Sequence, residues 1–345
     1  MNTKVTINLK TINSNIAKVK KIIGQEVKIC AVVKANAYSL GAREVARGIT
    51  DSVDYFAVAS LDEAKALRDC GIRTPILLLY VCSNYKLAKK LNCQVTITSL
   101  IEAMQLAKSG CVLDVHVKIN TGMNRFGIKT LVELSQTIDI LKTSNCNIVG
   151  FYTHLAKEEK QPIKQQLKVF QVFANYIKEL YPSALIHTAA SGGLKEKTAH
   201  FDMVRIGKAM YGGMEGFKTA IKIKSKIIAV QRTLTSEGIG YNGEPQKTSK
   251  LIGVLGVGYA DCFHRNNSNK GVILINKKPS VVCGNVCMDC FMGEIDSSVK
   301  VGDWAVLMDN KKGIRLMDIS RRSSTIACEL LCALNFKRCK VVYKQ

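Results

Sequence analysis

Residues 28–33, KICAVV, form the first of eight short apolar runs that decide the fold. The runs lie at residues 28–33, 55–59, 75–80, 94–98, 113–119, 147–153, 184–188 and 203–206. Between them lie helical patterns with apolar residues every three or four positions, clearest at 61–70, 100–108, 131–141 and 165–180. This alternation predicts parallel strands joined by right-handed helical crossovers. Eight such units predict a closed (β/α)8 barrel of the TIM type, although an open doubly wound sheet has the same local pattern.

The pattern changes after about residue 215 to strands without long helices. The expected strands cover residues 221–230, 251–259, 271–275, 280–283, 291–295 and 304–308. We therefore expect an antiparallel, mainly β domain. Gly212, Gly213 and Gly216 cluster near the change, as at an interdomain joint. We place the barrel at residues 1–220 and the C-terminal β domain at residues 221–345.

The composition indicates a soluble protein with a large core. Its 345 residues are 47% hydrophobic and 22% charged. No apolar stretch is long enough to span a bilayer, and the N-terminus lacks a signal-peptide core, so we expect a cytoplasmic protein. Thirteen cysteines at irregular spacing fit reduced thiols better than a disulfide framework.

The formal net charge is +23, from 50 Lys+Arg against 27 Asp+Glu. Such an excess is typical of proteins that bind nucleic acid or an anionic membrane surface. Here it is spread along the chain rather than gathered in a tail, and aromatic residues make up only 6%. We therefore expect no nucleic-acid partner and keep an anionic cytoplasmic membrane surface as a hypothesis.

Polar side chains follow several of the predicted barrel strands, where barrels of this type carry their active sites. Lys34 follows the first run, Arg125 the fifth and His154 the sixth. Ser191 follows the seventh run with two glycines, and Arg205 lies in the eighth. Singly, each has an ordinary interpretation as a solvent-reaching lysine, a structural histidine or a paired arginine. Together they predict a desolvated lysine suited to Schiff-base chemistry, with groups able to hold phosphate and carboxylate.

Five short segments carry a more specific signal than any single residue. They are AVVKANAY at 31–38, NTGMNRFG at 120–127, RIGKAMYG at 205–212, GYAD at 258–261 and VCMD at 286–289. In this order they resemble the signatures of the bacterial alanine racemase family. The resemblance implies a barrel that binds pyridoxal 5′-phosphate (PLP) and a β domain, in a homodimer whose partner chain completes each active site. It also implies racemisation of alanine or serine, which supplies D-amino acids for cell-wall precursors.

The resemblance implies two acid/base residues on opposite sides of the substrate. Lys34 would hold PLP covalently and act as one base, and Tyr259 from the other subunit would act as the second. Racemisation needs both, because one removes the α-proton from one face and the other returns it on the opposite face. His154 and Arg205 would make the Tyr259 phenol more acidic. Arg205 would also face the PLP ring nitrogen without giving up its proton.

Binding roles follow from the same resemblance. The cofactor phosphate would be held by Tyr38, Ser191 and the backbone N–H groups of Gly207 and Lys208. The substrate carboxylate would be held by Arg125 and the Met288 backbone N–H. Lys118 matches a lysine that is carbamylated in some members of the family, and no metal is implied.

The chain departs from the family pattern around the substrate. Asn120 and Ala190 stand where Asp and Asn are common, and residues 262–264 read Cys-Phe-His instead of Gly-Tyr-Pro. None of these changes removes a catalytic group. Phe336 replaces a tyrosine that touches the phosphate and narrows the entrance, or, in a match shifted by one residue, Asn335 replaces it. Both matches loosen selectivity for alanine and favour acceptance of serine.

Other interpretations compete with this one. Cys283, Cys287 and Cys290 have the spacing of a radical-SAM iron–sulfur site, but they lie in a β-rich segment. Non-catalytic barrels of PLP homeostasis resemble the Lys34 region but lack the domain that contains Tyr259. Decarboxylases of similar architecture are disfavoured by the Arg205 and Tyr259 motifs. Within the family, the basic charge suggests the cytoplasmic portion of a membrane-anchored serine racemase of glycopeptide-resistance systems.

Overall fold

A computed structural model describes all residues from Met1 to Gln345. The chain forms two compact units. The barrel unit comprises Ile16–Ala37 and Gly41–Gly207, and the sheet unit comprises Met1–Asn15, Tyr38–Leu40 and Lys208–Gln345. The sequence-based division assigns residues 1–15 to the barrel domain. In the structure they join the sheet unit, because strand β1 (Thr3–Asn8) pairs with a strand that begins at Ile221.

The barrel unit contains eight parallel strands, and the predicted barrel is confirmed. The strands are β2 (Lys28–Val32), β3 (Tyr55–Val58), β4 (Ile76–Leu78), β5 (Cys93–Ile97), β6 (Asp114–Lys118), β7 (Asn147–Tyr152), β8 (Leu185–His187) and β9 (Met203–Ile206). They pair in chain order from β2 to β8, and β9 pairs with β2. A parallel bridge between Ala190 and Arg205 joins the ends of β8 and β9. The sheet is therefore closed, and the open-sheet alternative is wrong.

Helical segments precede or follow most of these strands. They are α1 (Leu9–Ile23), the short left-handed segment α2 (Lys34–Tyr38), α3 (Ala42–Ile49), α4 (Leu61–Asp69), α5 (Tyr85–Lys90), α6 (Leu100–Lys108), α7 (Leu131–Thr143) and α8 (Lys160–Leu180). Side-chain N-caps fix the starts of α4 to α7, at Ser60, Asn84, Ser99 and Thr130. Helix α8 begins earlier than predicted, because its Pro162 fits a first helical turn. No helix combines the length and apolar character that a membrane span requires.

The sheet unit contains β1 and the remaining strands in one eight-stranded sheet of order β11-β14-β13-β12-β15-β10-β1-β16. These strands are β10 (Ile221–Thr233), β11 (Lys250–Leu255), β12 (Val272–Ile275), β13 (Lys278–Cys283), β14 (Phe291–Glu294), β15 (Trp304–Met308) and β16 (Lys340–Lys344). The helices α9 (Leu316–Arg322) and α10 (Ala327–Cys332) belong to the same unit. The six predicted strands are present and antiparallel. Two strands were not predicted, β1 and β16. They are parallel to each other, with β1 between β10 and the edge strand β16.

Candidate active site

Lys34 follows β2 at the start of the left-handed turn α2. Residues 35–37 have φ of 52–53°, and the next two residues also have positive φ. Residues other than glycine avoid this conformation, so its surroundings must hold the turn in place. The Lys34 side chain is half-buried, and its Nζ lies 5.4 Å from the centroid of the Tyr80 ring.

Glu63, in the helix α4 that follows the neighbouring strand β3, holds the turn. Its Oε1 accepts a hydrogen bond from the Ala35 N–H at 2.6 Å, and its Oε2 accepts one from the Ala59 N–H at 2.7 Å. One carboxylate therefore ties the residue after Lys34 to the end of β3. Glu63 was not among the predicted site residues, although Ser60-x-x-Glu63 is a capping-box pattern that could have indicated it.

Arg205 is buried in β9, with 3% of its surface exposed. Its Nη1 donates to the His187 Nδ1 at 2.6 Å, and its Nη2 donates to the Thr153 and Thr188 carbonyls at 2.7 and 3.1 Å. All of its acceptors are neutral, and the Nε–H makes no hydrogen bond within the protein. Burial lowers the pKa of Arg205, but a guanidinium keeps its charge in proteins. Arg205 therefore offers one N–H of a buried cation to a ligand.

Arg205 also fixes the protons in a chain of buried histidines. Because a guanidinium only donates, His187 Nδ1 must accept, and the neutral ring carries its proton on Nε2. That Nε2 lies 3.0 Å from His116 Nδ1, and His116 Nε2 lies 2.8 Å from Gln94 Oε1, so each group donates to the next. Burial, aided by Arg205, lowers the pKa of His116 to about 3 and that of His187 well below its usual value. Both rings are therefore neutral.

His154 lies among four cations beyond the end of β7. Burial first, and then the charges of Arg205, Arg125, Lys118 and Lys34, lower its pKa to about 3. Its Nδ1 lies 3.4 Å from Arg205 Nη2 and accepts, so the neutral ring carries its proton on Nε2. The four cations make no ion pair with a carboxylate. The structure thus brings predicted residues from four strands to one electropositive place.

Lys118 is the most deeply buried of these cations, at 2% exposure. Its Nζ donates to the Phe126 carbonyl at 2.8 Å and lies 4.4 Å from the centroid of the Phe126 ring. Burial, and then Arg125 and Arg205, lower the pKa of Lys118 to about 8. A buried amine that releases its proton near neutral pH is nucleophilic.

Asn120 shapes the loop that carries Arg125. Its Oδ1 accepts hydrogen bonds from the N–H groups of Gly122 and Asn124, at 3.1 and 3.0 Å. An aspartate would accept the same two bonds, so this departure from the family pattern keeps the turn. Arg125 itself is exposed, and its guanidinium carbon lies 5.0 Å from the centroid of the Phe126 ring.

Ser191 begins the small-residue turn Ser191–Gly193 after β8. Its hydroxyl is buried and accepts a hydrogen bond from the Gly207 N–H at 3.2 Å. A side chain at Gly192 would meet the exposed Glu158 side chain, whose Cγ would lie 2.6 Å away and would have to move. Two of the predicted phosphate-binding positions, Ser191 and Gly207, therefore lie in contact.

The remaining predicted residues belong to the sheet unit. Burial raises the pKa of Tyr38, whose ring centroid lies 5.0 Å from that of Tyr211. Tyr259 and Met288 are 41% and 53% exposed, so both side chains are open to solvent in the single chain. The Tyr259 N–H donates to the Cys287 carbonyl at 3.0 Å, so the two motifs are paired through their backbones. Lys208 is half-buried and begins this unit.

Arg338 joins the same two motifs through their carboxylates. Its Nε and Nη2 donate to Asp261 at 2.7 and 2.9 Å, and its Nη1 donates to Asp289 at 2.6 Å. Asp261 lies two residues after Tyr259, and Asp289 lies directly after Met288. Arg338 was not among the predicted site residues, because nothing local marks it as a partner of residues 49 and 77 positions away.

Asn335 and Phe336 differ in how far they are available to a ligand. The Asn335 backbone N–H donates to the Asp261 carbonyl at 2.7 Å, and its Nδ2 donates to the Ala260 carbonyl at 3.0 Å. The amide group is thus engaged with the Tyr259 loop. Phe336 is half-buried.

The cysteine motif forms no metal site. Cys283 packs with Ile239, Ile252 and Met292 in an apolar cluster. No group of three or more His, Cys, Asp or Glu side chains in the structure could hold a metal ion. All thirteen cysteines are free thiols.

Comparisons with known proteins point to one family. The models for the alanine racemase N-terminal and C-terminal domains match residues 7–215 and 220–343. The chain belongs to the alanine racemase family. It is 34% identical to the alanine racemase of Thermodesulfovibrio yellowstonii over 94% of this chain and 93% of that protein. The solved alanine racemase of E. faecalis matches with a TM-score of 0.91 and 27% identity, over 99% of this chain and 98% of that one. That of Bacillus anthracis with bound L-Ala-P matches with a TM-score of 0.89 and 28% identity, over 100% and 95%.

Membership makes this chain a PLP-dependent amino-acid racemase. The donors of the barrel unit fit that cofactor. The free Nε–H of Arg205 suits a ring nitrogen, the Ser191–Gly193 turn suits a phosphate, and Lys34 supplies an amine for an aldehyde.

Proposed function

We propose that this alanine racemase family member interconverts L- and D-alanine and also accepts serine, supplying D-amino acids for cell-wall precursors. The proposal rests mainly on the surroundings of Arg205. This residue is a buried cation that is surrounded by neutral acceptors and keeps one N–H for a ligand, in the barrel that also carries Lys34. Relatives named alanine racemase match over most of their length. A non-catalytic homeostasis barrel is disfavoured, because the C-terminal racemase domain matches residues 220–343.

In this proposal the cofactor is held by Lys34, Tyr38, His154, Ser191, Arg205, Gly207, Lys208 and Phe336. When bound, PLP supplies a conjugated ring that stabilises the electron pair left on the substrate Cα. Arg205 would present its Nε–H to the ring nitrogen and, as a guanidinium, would not give up that proton.

Lys34 and Tyr259 move the proton. Lys34 Nζ takes or returns the α-proton on one face of the substrate, and Tyr259 Oη from a second copy of the chain acts on the other. The high exposure of Tyr259 and Met288 on the sheet unit supports a role toward another chain. His154, neutral with its proton on Nε2, can donate to the Tyr259 phenolate. Arg125 and the Met288 N–H bind the substrate carboxylate.

Lys118 is the residue we propose to be carbamylated. Its neutral amine attacks carbon dioxide and loses a proton, which leaves a carbamate anion on Nζ. The anion would replace one of four mutually repelling cations by a partner for Arg125. The low pKa of the amine and the replacement of a cation by an anion both favour carbamylation.

Two variants test the shared site. Lys34→Ala and Tyr259→Phe should each be inactive, while a mixture regains activity, because a hybrid dimer contains one site with both residues. Activity is measured as D-product from L-alanine or L-serine by chiral chromatography. Recovery that is absent despite demonstrated subunit exchange contradicts the shared site. Absence of D-product from both amino acids with the PLP-loaded protein contradicts the function.

A further inference from the structure

Six lysines lie on one face of three neighbouring strands of the sheet unit. Lys4 in β1 stands opposite Lys224 in β10 and Lys340 in β16. Side chains alternate between the faces of a strand, so Lys222, Lys226 and Lys344 lie on this face too. We call the six residues the lysine face. The opposite face is buried, as Val5, Ile7, Ile221 and Ile223 show.

The charge of the lysine face is almost uncompensated. Its one ion pair joins Lys222 to Asp309 at 2.8 Å, and the other five lysines make none. Like charges directly opposite each other on neighbouring strands destabilise a sheet. Lys4 meets one lysine on each side, so the arrangement costs stability unless an anionic partner binds it.

Trp304, the one tryptophan of the chain, lies at the border of the lysine face. It pairs with Lys226, and its ring centroid lies 4.4 Å from Lys224 Nζ and 5.5 Å from Lys226 Nζ. On the far side of Trp304 the same face of the sheet becomes apolar. Val306, Leu274, Val272 and Val281 follow across β15, β12 and β13, and Val281 is 48% exposed.

We propose that this surface docks the protein on an anionic phospholipid membrane. The lysines would contact lipid phosphates, and Trp304 with its apolar neighbours would enter the interfacial region, where tryptophan is enriched. An anionic lipid surface is complementary both to the lysine face and to the apolar residues beside it. Nucleic acid matches the charge alone, and no arginine stands among the six basic residues to read phosphates or bases in bidentate fashion. The proposal is independent of the racemase chemistry.

The fluorescence of Trp304 can report membrane binding. The PLP-loaded protein is titrated with vesicles of phosphatidylcholine alone and of phosphatidylcholine mixed with phosphatidylglycerol, and tryptophan fluorescence and co-sedimentation are followed. We expect binding, a blue shift and quenching by brominated lipid with the anionic vesicles only. Added salt should weaken the binding, because it screens the lysines.

A charge-matched pair of variants locates the surface. The triple variant Lys4→Gln, Lys224→Gln and Lys340→Gln should weaken vesicle binding about a hundredfold, at roughly 1 kcal/mol per lysine and a factor of ten per 1.4 kcal/mol. The control replaces three exposed lysines of α5, namely Lys86→Gln, Lys89→Gln and Lys90→Gln, and removes the same charge. It should bind within about threefold of wild type, since its lysines lie outside the surface. Unchanged alanine racemisation shows that both variants are folded.

Three results would overturn the proposal. Equal binding to neutral vesicles removes the role of the lysines. Equal weakening in both triple variants shows that net charge, rather than this face, governs association. Binding of duplex DNA or RNA through the lysine face without binding of anionic vesicles assigns the surface to nucleic acid instead.

Discussion

Replacement of Arg338 by alanine is the sharpest test of how Tyr259 is positioned. In the structure the Arg338 guanidinium makes three charge-assisted hydrogen bonds, two to Asp261 and one to Asp289. Such bonds are stronger than neutral ones and fix orientation as well as distance. They hold the segment that carries Tyr259 against the segment that carries Met288.

The magnitude follows from the exposure of the arginine and of the two carboxylates. The Asp261 side chain is 7% exposed, and without Arg338 it keeps only the Gly258 N–H at 3.2 Å. Arg338 itself is 52% exposed and Asp289 is 64% exposed, so water can enter the space that the guanidinium leaves and hydrate both carboxylates. We therefore expect Arg338→Ala to lower the stability only modestly and, through misplacement of Tyr259, to lower kcat on the order of a hundredfold.

Steady-state racemisation of L-alanine and calorimetric unfolding measure the two effects separately. Arg338→Lys keeps the charge but loses the two-pronged contact, so its kcat should fall between wild type and Arg338→Ala. Asp289→Asn removes only the exposed contact and should stay within about threefold of wild type. The reasoning is refuted if Arg338→Ala keeps the wild-type kcat, or if Asp289→Asn is equally damaging.

Further predictions concern the cofactor lysine, the substrate entrance and the buried amine. Borohydride reduction of the PLP-loaded protein should fix the cofactor on Lys34, and peptide mapping that finds it on another lysine overturns the assignment. Phe336→Tyr should restore a phenol at the entrance and raise the kcat/KM ratio of alanine over serine, with a limit near 1–3 kcal/mol for one hydroxyl; an unchanged ratio argues against Phe336 as the selectivity residue. In the folded chain the pKa of Lys118 is about 8 against an ordinary 10.5, so between these values the unfolded state binds more protons. In carbon-dioxide-free buffer the free energy of unfolding should therefore rise from pH 8 to pH 10.5, by up to about 1.4 kcal/mol per pH unit. Lys118→Met should lack that rise, and an identical pH profile for the two proteins would contradict the depressed pKa.

The barrel could be predicted because its strands are apolar on both faces. Runs such as Ile76–Leu78 are fully buried, and buried parallel strands give continuous apolar stretches that sequence patterns detect. The strands β1 and β16 were not predicted. TKVTIN alternates buried and partly exposed residues over only six positions, and KVVYK contains no buried residue, so neither gives the continuous apolar stretch that marks the barrel strands.

The site was predicted as far as strand ends could indicate it. Four of the predicted residues lie near the end of a barrel strand or after it in the structure: Lys34, His154, Ser191 and Arg205. His116 and His187 lie in strands, where the sequence pattern marks a histidine only as an interruption of the core. It does not indicate the hydrogen-bond network that they form. Glu63 accepts hydrogen bonds from backbone N–H groups, one of them in a turn of unusual conformation. Arg338 binds carboxylates that are distant in sequence. Only tertiary structure reveals such partners.

The left-handed turn after Lys34 also constrains the order of folding. Roughly 1–2 kcal/mol per residue opposes this conformation in non-glycine residues, so an isolated segment from 34 to 39 adopts other conformations. The bonds that offset the cost come from Val33, directly after β2, and from Glu63 in α4, which follows β3. We therefore expect the turn to form only after the first strands of the barrel have paired. If so, nascent or partly unfolded chains lack the geometry around Lys34 and present it as an ordinary surface lysine.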